Sequence, residues 1–376
     1  MHFTLSDERR MLGETAGRFL RERYEMELRH AAAAEPDGFS RTLWAEMAEL
    51  GLIGALIPPE AGGFGGAGED IALVFEHLGR GLVVEPFLAS GILGAWPLVR
   101  AGETALLEQA IAGETLLAFA HGEPEGRYDL AEVSCRADGA DADWRLSGRK
   151  AVVANGDSAD WIVVSARTAG EPGERAGLGL FLVAADAPGL DRRGYGTVEG
   201  GRAAELTLAE TPARPLGPVG EAYPLIEETV GRGILALAAE AIGLMEVCRE
   251  MTLDYLKTRQ QFGRPLGQFQ ALQHRMVEMT LEIEQARSAV MLAAGTLEAD
   301  RSTRERNLAA AKHLTGRVGR LVAEEAIQLH GGIAMTWDYA LPHYAKRLVM
   351  TDHLLGDTDH HLERFIALGR EAGAAA

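Results

Sequence analysis

The hydrophobic pattern of this chain changes its period twice, and that double change restricts the possible folds more than any other feature. From Leu5 to about Gly113, apolar residues recur every three to four positions, as they do in amphipathic helices. Between Thr115 and about Leu216, short β-rich runs alternate with turns that contain Gly, Asp and Pro. From about Ala222 the helical pattern returns in four long pieces. The order along the chain is therefore helical, β and helical again.

We predict an α+β multidomain protein: an N-terminal α-helical domain at 1–113, a barrel-like middle antiparallel β domain at 114–217, and a C-terminal four-helix bundle at 218–376. The strands of the middle segment are not separated by long helical patterns, which a parallel βαβ sheet would require. Ser6 is predicted to cap the first helix, with Asp7 and Glu8 in its first turn.

Charge and composition exclude several classes of partner. The 37 basic and 55 acidic residues give a net charge of −18, which repels nucleic acids and anionic lipid surfaces. No run reaches about 18 uncharged apolar residues, and the first residues lack a secretory pattern. The two cysteines, Cys135 and Cys248, lie far apart in the chain without metal-ligand spacing. We expect a cytoplasmic protein without a membrane segment.

Two motifs resemble a dinucleotide-binding loop and a metal site, but their sequence context supports neither. Gly63 to Gly68 matches G-x-G-x-x-G, but no strand precedes it, so we interpret it as a loop between helices. Residues 352–361 contain three aspartates and three histidines, with His353 and Asp357 spaced to share one helix face. The spacing fixes no third or fourth ligand, and Thr358 or Asp359 is suited to cap a last helix. We therefore predict no metal site.

Two other segments are more specific indicators of function than these motifs. Residues 255–270 end a helix at basic residues, form a turn with Gly and Pro, and begin another helix at Gln270. Residues 327–334 end a helix near Gln328 with the adjacent glycines Gly331 and Gly332. A plain helical hairpin explains the first segment. The same residues, with Arg259 beside Phe262, also suit a pyrophosphate and an adenine ring.

At these residues the chain resembles the acyl-CoA dehydrogenase family over its full length. These flavoenzymes oxidise a CoA thioester to its α,β-unsaturated form. The loop at 57–63 and the segment at 119–124 also resemble the family pattern. Within the family, the runs at 119–121, 156–160, 255–259 and 356–362 are most similar to the small subunit of pimeloyl-CoA dehydrogenase. The resemblance thus implies FAD as cofactor, an acyl-CoA substrate such as pimeloyl-CoA, and an electron-transferring flavoprotein as acceptor.

The resemblance also assigns cofactor-binding residues. One set would contact the FAD of a neighbouring subunit and its adenosine diphosphate part: Arg259, Phe262, Gln270, Gln328, Gly331 and Gly332. Thr358 and His360 would lie near the flavin of their own subunit, and the backbone of His121 and Gly122 near the isoalloxazine ring. Each flavin site would then be completed by an oligomer.

The catalytic base departs from the family pattern. Most members place a Glu directly before a Gly-Thr pair, but that position here is Gly356, followed by Asp357 and Thr358. Other members place a Glu near the start of the first long C-terminal helix, where this chain has Arg232 between two glycines. Asp357 is the first substitute candidate, with helix capping as the alternative. Glu240 is the second, and a base from another chain is the third.

A second departure lies at 152–154, where Val-Val-Ala replaces the Trp and Thr that relatives place before an Asn-Gly pair. The two departures favour a subunit of an oligomer that includes a large subunit. Two alternatives stay open: a catalytically silent partner that completes another chain's flavin site, and a different flavin reaction such as an oxidase or nitroalkane chemistry. Four arginines are candidate contacts for a distal carboxylate, but a solvated surface role is the alternative for each: Arg127, Arg192, Arg193 and Arg202.

Overall fold

The computed structural model describes residues 5–141 and 143–374. These residues form two compact units. The helical unit contains residues 5–29, 67–83 and 234–374, and the β-containing unit contains residues 30–66 and 84–233. Each unit has its own buried apolar core.

The N-terminal third is helical, as the sequence predicts. Ser6 caps the first helix, since its Oγ accepts a hydrogen bond of 3.2 Å from the Arg9 amide. A π-helix at Phe87–Gly94 precedes α5. The helices are α1 (Asp7–Arg23), α2 (Met26–Ala33), α3 (Arg41–Glu49), α4 (Gly68–Gly81), α5 (Ala95–Ala101) and α6 (Thr104–Ile111).

The middle segment is a seven-stranded sheet: β1 (Leu117–Ala120), β2 (Arg136–Ala140), β3 (Asp143–Ala154), β4 (Trp161–Arg167), β5 (Leu178–Ala184), β6 (Leu190–Gly196) and β7 (Arg202–Pro215). The pairings β4–β2–β3–β7–β5–β4 close on themselves, and this arrangement confirms a barrel-like domain. The pairs β2–β3, β3–β7, β4–β5, β5–β7 and β6–β7 are antiparallel, as predicted. Strand β4 pairs with β1 and β2 in parallel, so the prediction of an antiparallel domain is wrong for these two pairs. Each of these pairs has the longer connection that parallel strands require, and neither is joined by a tight hairpin.

The C-terminal segment contains five helices where the sequence predicts four pieces: α7 (Tyr223–Thr258), α8 (Gln270–Gly295), α9 (Arg301–His330), α10 (Leu341–His353) and α11 (Thr358–Ala374). A short hairpin, β8 (Gln260–Gln261) and β9 (Arg264–Pro265), follows α7. Helix α9 packs against α8, α10 and α11. The extra break follows from positive φ angles of 56° at Leu355 and 106° at Gly356, which no α-helix accommodates.

Two glycines let α4 and α7 approach closely within the helical unit. A Cβ atom on Gly79 would overlap the carbonyl oxygen of Glu240, and one on Gly243 would overlap that of Glu76. Any larger residue at either position would push the helices apart. The backbone around Glu240 is therefore fixed by packing.

Along the described part of the chain, no helix combines the length and apolarity needed to cross a membrane.

Candidate functional site

The glycine-rich loop is not a phosphate cradle. The amides of Gly63, Phe64, Gly65 and Gly66 all donate to carbonyl oxygens of residues 54–58, at 2.9 to 3.2 Å. A nucleotide-binding loop offers such amides to phosphate oxygens. This loop uses them to stabilise itself, which agrees with its interpretation as a connection between helices.

The cluster of aspartates and histidines is also divided by the fold. Helix α10 ends at His353, so His353 and Asp357 do not share a helix face. Among residues 5–141 and 143–374, no group of three or more His, Cys, Asp or Glu side chains is arranged to hold a metal ion.

Arg259 and Phe262 lie in the exposed hairpin after α7. The Phe262 side chain is 90% exposed, and its backbone has φ of 55°. The Arg259 guanidinium is exposed and forms no ion pair with the described residues, whereas Arg275, Arg287 and Arg347 all pair with carboxylates. An exposed aromatic ring and an uncompensated guanidinium suit a ligand that carries a base and a diphosphate.

The other residues of the predicted adenosine diphosphate contact are equally accessible. Gln270 begins α8, Gln328 lies in the last turn of α9, and both side chains are exposed. A Cβ atom on Gly331 or Gly332 would meet nothing within 4 Å. The backbone at these glycines is open to close approach by a ligand, so the residues present fit the adenosine diphosphate part of FAD.

The loop that carries the family's base position is closed. A Cβ atom on Gly356 would lie 2.5 Å from His361 Nε2 and 2.7 Å from His360 Cδ2. The φ of 106° at Gly356 also disfavours any L side chain. The backbone conformation and the neighbouring rings therefore both oppose a carboxylate at position 356.

Lys312 fastens this loop from α9, and sequence reasoning missed it. Its buried Nζ donates hydrogen bonds to the carbonyl oxygens of Thr351, Asp352 and Gly356, at 2.8 to 2.9 Å. Burial lowers the pKa of Lys312 to about 8. The available signal was a lysine amid the buried positions of α9, but the spacing alone did not identify its acceptors.

Asp357 caps a helix. Its Oδ1 accepts a hydrogen bond of 2.9 Å from the His360 amide at the start of α11, so Asp357 has the capping role that was the alternative for it, and Thr358 and Asp359 are not the cap. Thr358 instead donates from its hydroxyl to Asp352 Oδ1 at 2.8 Å. The half-buried Asp357 and His360 both lie at this helix start, next to position 356.

Glu240 is held by an arginine. Its two carboxylate oxygens accept hydrogen bonds of 2.6 and 2.9 Å from Arg347 on α10. Only 6% of Glu240 is exposed. A paired carboxylate in a fixed helix contact is poorly placed to accept a substrate proton.

The alternative position for the base, near the start of α7, is occupied by a cation, Arg232. Arg232 is buried, donates to the Gly66 carbonyl oxygen at 2.8 Å, and lies 3.3 Å from the centre of the Trp96 ring. This arrangement places a guanidinium at the second position where the family resemblance implies a carboxylate.

The β1 end carries His121 and Gly122 at the margin of the sheet. Gly122 is exposed, His121 is half-buried, and desolvation together with the charge of Lys150 lowers the pKa of His121 to about 3. Sequence reasoning missed the buried Lys150 and the Glu123 with which it pairs at 2.7 Å. A lysine within the apolar end of a strand was the signal.

Two of the candidate anion contacts have structural partners. Arg192 donates to the carbonyl oxygens of Gly156, Asp157 and Ala159, and Arg202 pairs with the Asp157 carboxylate at 2.6 Å. These bonds fix the turn at 155–159 and explain both cations without a substrate.

Sequence profiles of one family match nearly the whole chain. The N-terminal domain of acyl-CoA dehydrogenase matches residues 6–113, the middle domain matches 118–210, and the C-terminal domain matches 223–367. Among curated proteins, the acyl-CoA dehydrogenase IpdE2 of Mycobacterium tuberculosis is 34% identical over 96% of this chain and 97% of its own length.

Solved structures agree. A variant of the Tcur3481-Tcur3483 steroid ACAD has a TM-score of 0.89 and 33% identity, covering 99% of this chain and 100% of that one. The ChsE4-ChsE5 complex from Mycobacterium tuberculosis has a TM-score of 0.87 and 26% identity, covering 99% of each chain. With three matched domains and a relative 34% identical along nearly its full length, this chain belongs to the acyl-CoA dehydrogenase family of FAD-dependent oxidoreductases.

Proposed function

We propose that this chain binds FAD and takes part in the α,β-dehydrogenation of an acyl-CoA thioester as one subunit of an assembly whose other chain supplies the catalytic base. When bound, FAD would supply the acceptor for the hydride that leaves the β-carbon of the thioester. The reaction also needs a group that removes the α-proton. The closed loop at Gly356 is the observation that carries the proposal.

We propose the following roles for the residues of this chain. Arg259, Phe262, Gly331 and the other accessible residues after α7 and α9 bind the adenosine diphosphate part of the FAD of a neighbouring subunit. The β1 end contacts the isoalloxazine ring of the FAD in its own subunit. Asp357 keeps its capping bond, and Glu240 keeps its pair with Arg347. Neither carboxylate takes up the α-proton.

Two similar structures support an assembly of unlike chains, because their names join two proteins: Tcur3481-Tcur3483 and ChsE4-ChsE5. We propose the same kind of assembly here, with electrons passing to an electron-transferring flavoprotein. The buried free thiols of Cys135 and Cys248 suit a reducing cytoplasm.

The substrate proposal has two sources. The resemblance to the pimeloyl-CoA dehydrogenase small subunit favours a dicarboxylyl-CoA such as pimeloyl-CoA. The similarity to a steroid ACAD makes a steroid-derived CoA thioester the second substrate to test.

The test is to purify the chain alone, reconstitute it with FAD, record the visible spectrum, and add pimeloyl-CoA without oxygen. We expect a yellow protein that dithionite bleaches and pimeloyl-CoA does not. Bleaching by a CoA thioester would show that the chain carries its own base. A protein that stays colourless after reconstitution would favour the silent structural partner.

The variant Gly356→Glu makes the bleaching test more specific, since it restores a carboxylate at the position where the family resemblance implies the base. We expect this variant also to resist bleaching by pimeloyl-CoA, because His360 and His361 occupy the space beside position 356. Bleaching in the variant alone would show that the loop is open enough to host a base.

A further inference from the structure

A buried polar cluster in the β-containing unit takes no part in the proposed function. Lys150 on β3 is fully buried, and its Nζ donates to Glu123 Oε1 at 2.7 Å, to Ser165 Oγ at 3.1 Å and to the His121 carbonyl oxygen at 3.1 Å. Glu123 also accepts from the amides of Ser134 and Cys135 at 2.7 and 3.0 Å. The cluster is a buried ion pair with most of its hydrogen bonds satisfied.

These bonds favour one of the two neutral tautomers of His121. Lys150 has only donors, so Ser165 Oγ accepts from it. Ser165 Oγ lies 2.9 Å from His121 Nδ1, and no other acceptor for the Ser165 hydroxyl proton is found among the described residues. We therefore assign Nδ1 as the acceptor and place the ring proton on Nε2.

The imidazole is neutral as well as fixed. Desolvation and the nearby charge of Lys150 lower the pKa of His121 to about 3, so the ring stays uncharged at neutral pH. Its Nε2 forms no hydrogen bond with the residues that the structure describes, and the half-buried ring does not seal that atom inside. His121 therefore offers one unused donor whose direction the cluster sets.

The surrounding backbone also has the character of a binding edge. The ring of Phe119 stacks on that of His121, with centroids 5.8 Å apart. The Gly122 carbonyl oxygen accepts from the Ala151 amide at 2.9 Å, which ties β1 to a bulge in β3. In that bulge Val152 is 58% exposed and has φ of 52°, a strained conformation for a β-branched residue. Such strain concentrates at functional sites.

We propose that the His121 side chain binds the cofactor, its Nε2–H donating a hydrogen bond to a carbonyl oxygen or ring nitrogen of the isoalloxazine. The family resemblance implies a contact of this ring with only the backbone of His121 and Gly122. The inference depends on the proposal that this chain holds FAD. Ser165 and Lys150 are positioning residues, since they act on the cofactor through His121.

The first experiment needs no cofactor. The chain is labelled with ¹⁵N-histidine, and the His121 ring nitrogens are followed by NMR from pH 8 to pH 5. We expect a single neutral tautomer with the proton on Nε2, and a tautomer mixture in Ser165→Ala. A proton on Nδ1, or titration of the ring near its ordinary value, would overturn the assignment.

The second experiment measures FAD binding to the full chain. His121→Leu is expected to weaken FAD about tenfold, the effect of one hydrogen bond, and to shift the visible flavin bands. His353→Leu changes an exposed histidine and is the matched control, expected to bind as the wild type does. Circular dichroism checks that both variants are folded.

The outcomes separate this inference from the proposed function. If the wild type binds FAD and His121→Leu binds it equally well with unchanged bands, the side-chain contact is wrong and the proposed function stands. If the folded wild type binds no FAD, both proposals fail.

Discussion

Two regions of the helical unit that the family assigns to one reaction differ in how their polar groups are used. Around Arg259 and Gly331 the guanidinium has no carboxylate partner in the described residues, and the backbone is open. Around Gly356, Lys312 binds three carbonyl oxygens, and histidine rings fill the space where a side chain would go. The first region is the one that we propose for the cofactor, whereas the second is held together by its own hydrogen bonds and packing. Our proposal thus separates cofactor binding from proton transfer within the chain.

The largest expected effect is on stability and comes from removing Lys312, which holds the loop around Gly356. Lys312→Met leaves three buried carbonyl oxygens without their donor, so we expect the free energy of unfolding to fall by about 3 kcal/mol or more. Urea unfolding followed by circular dichroism measures this. Lys257→Met, at an exposed position, is the control and should change stability by less than about 0.5 kcal/mol. Equal effects in the two variants would show that the loop does not depend on Lys312.

The second prediction compares two glycines with positive φ. Gly102 has φ of 72° and nothing within 4 Å of its Cβ position, so Gly102→Ala should cost only the backbone strain of about 1 kcal/mol. Gly356→Ala adds contact with His360 and His361, so it should cost about 2 to 3 kcal/mol. The difference between the two urea midpoints measures how tightly the base position is closed. No difference would mean that the histidine rings move aside freely.

The third prediction concerns the exposed region around Arg259 and Gly331. Arg259→Ala removes a charge-assisted hydrogen bond to the diphosphate of a neighbouring subunit's FAD, so we expect the assembled protein to bind FAD about 10- to 100-fold more weakly. The stability of the FAD-free chain should change by less than about 0.5 kcal/mol, because the guanidinium has no ion-pair partner in the described residues. Fluorescence titration with FAD and urea unfolding separate the two effects. Lys257→Ala is the matched control for a nearby exposed cation. A loss of stability without a loss of affinity would assign Arg259 a structural role.

The sequence predicted much of the fold because local patterns carry it. The change of period located the β-rich segment, the type of the residue at position 6 identified a helix cap, and the glycine pair at 331 and 332 marked the end of α9. These features depend on neighbours within a few positions. The parallel pairing of β1 with β4 depends on strands far apart in the chain, and no local signal specified it.

The candidate site also combines features that local sequence predicts with contacts between distant residues that it does not predict. The absence of a carboxylate at position 356 can be read directly from the sequence, but the bonds that hold the nearby carboxylates cannot. Lys312 lies about 40 residues from the carbonyl groups it binds, and Arg347 lies 107 residues from Glu240. Periodicity indicates that a residue faces the interior, yet it does not identify the partner across the core.

The smallest expected effect concerns the pH dependence of the closed loop. His361 is buried and bonded through Nε2 to the Leu355 carbonyl oxygen, and burial lowers its pKa to about 3. Below its ordinary value of about 6.5, the unfolded chain binds a proton that the folded chain does not, so stability is lost as pH falls. Between pH 6.5 and pH 5, this one group should cost the wild type about 1.5 kcal/mol. His361→Gln keeps a donor for Leu355 without the titration, so its urea midpoint should fall less over the same interval. The control His353→Gln, at an exposed position, should follow the wild type. Parallel pH dependence in all three proteins would mean that the histidine beside Gly356 takes up a proton while the chain is folded, and that the loop is less closed than its contacts imply.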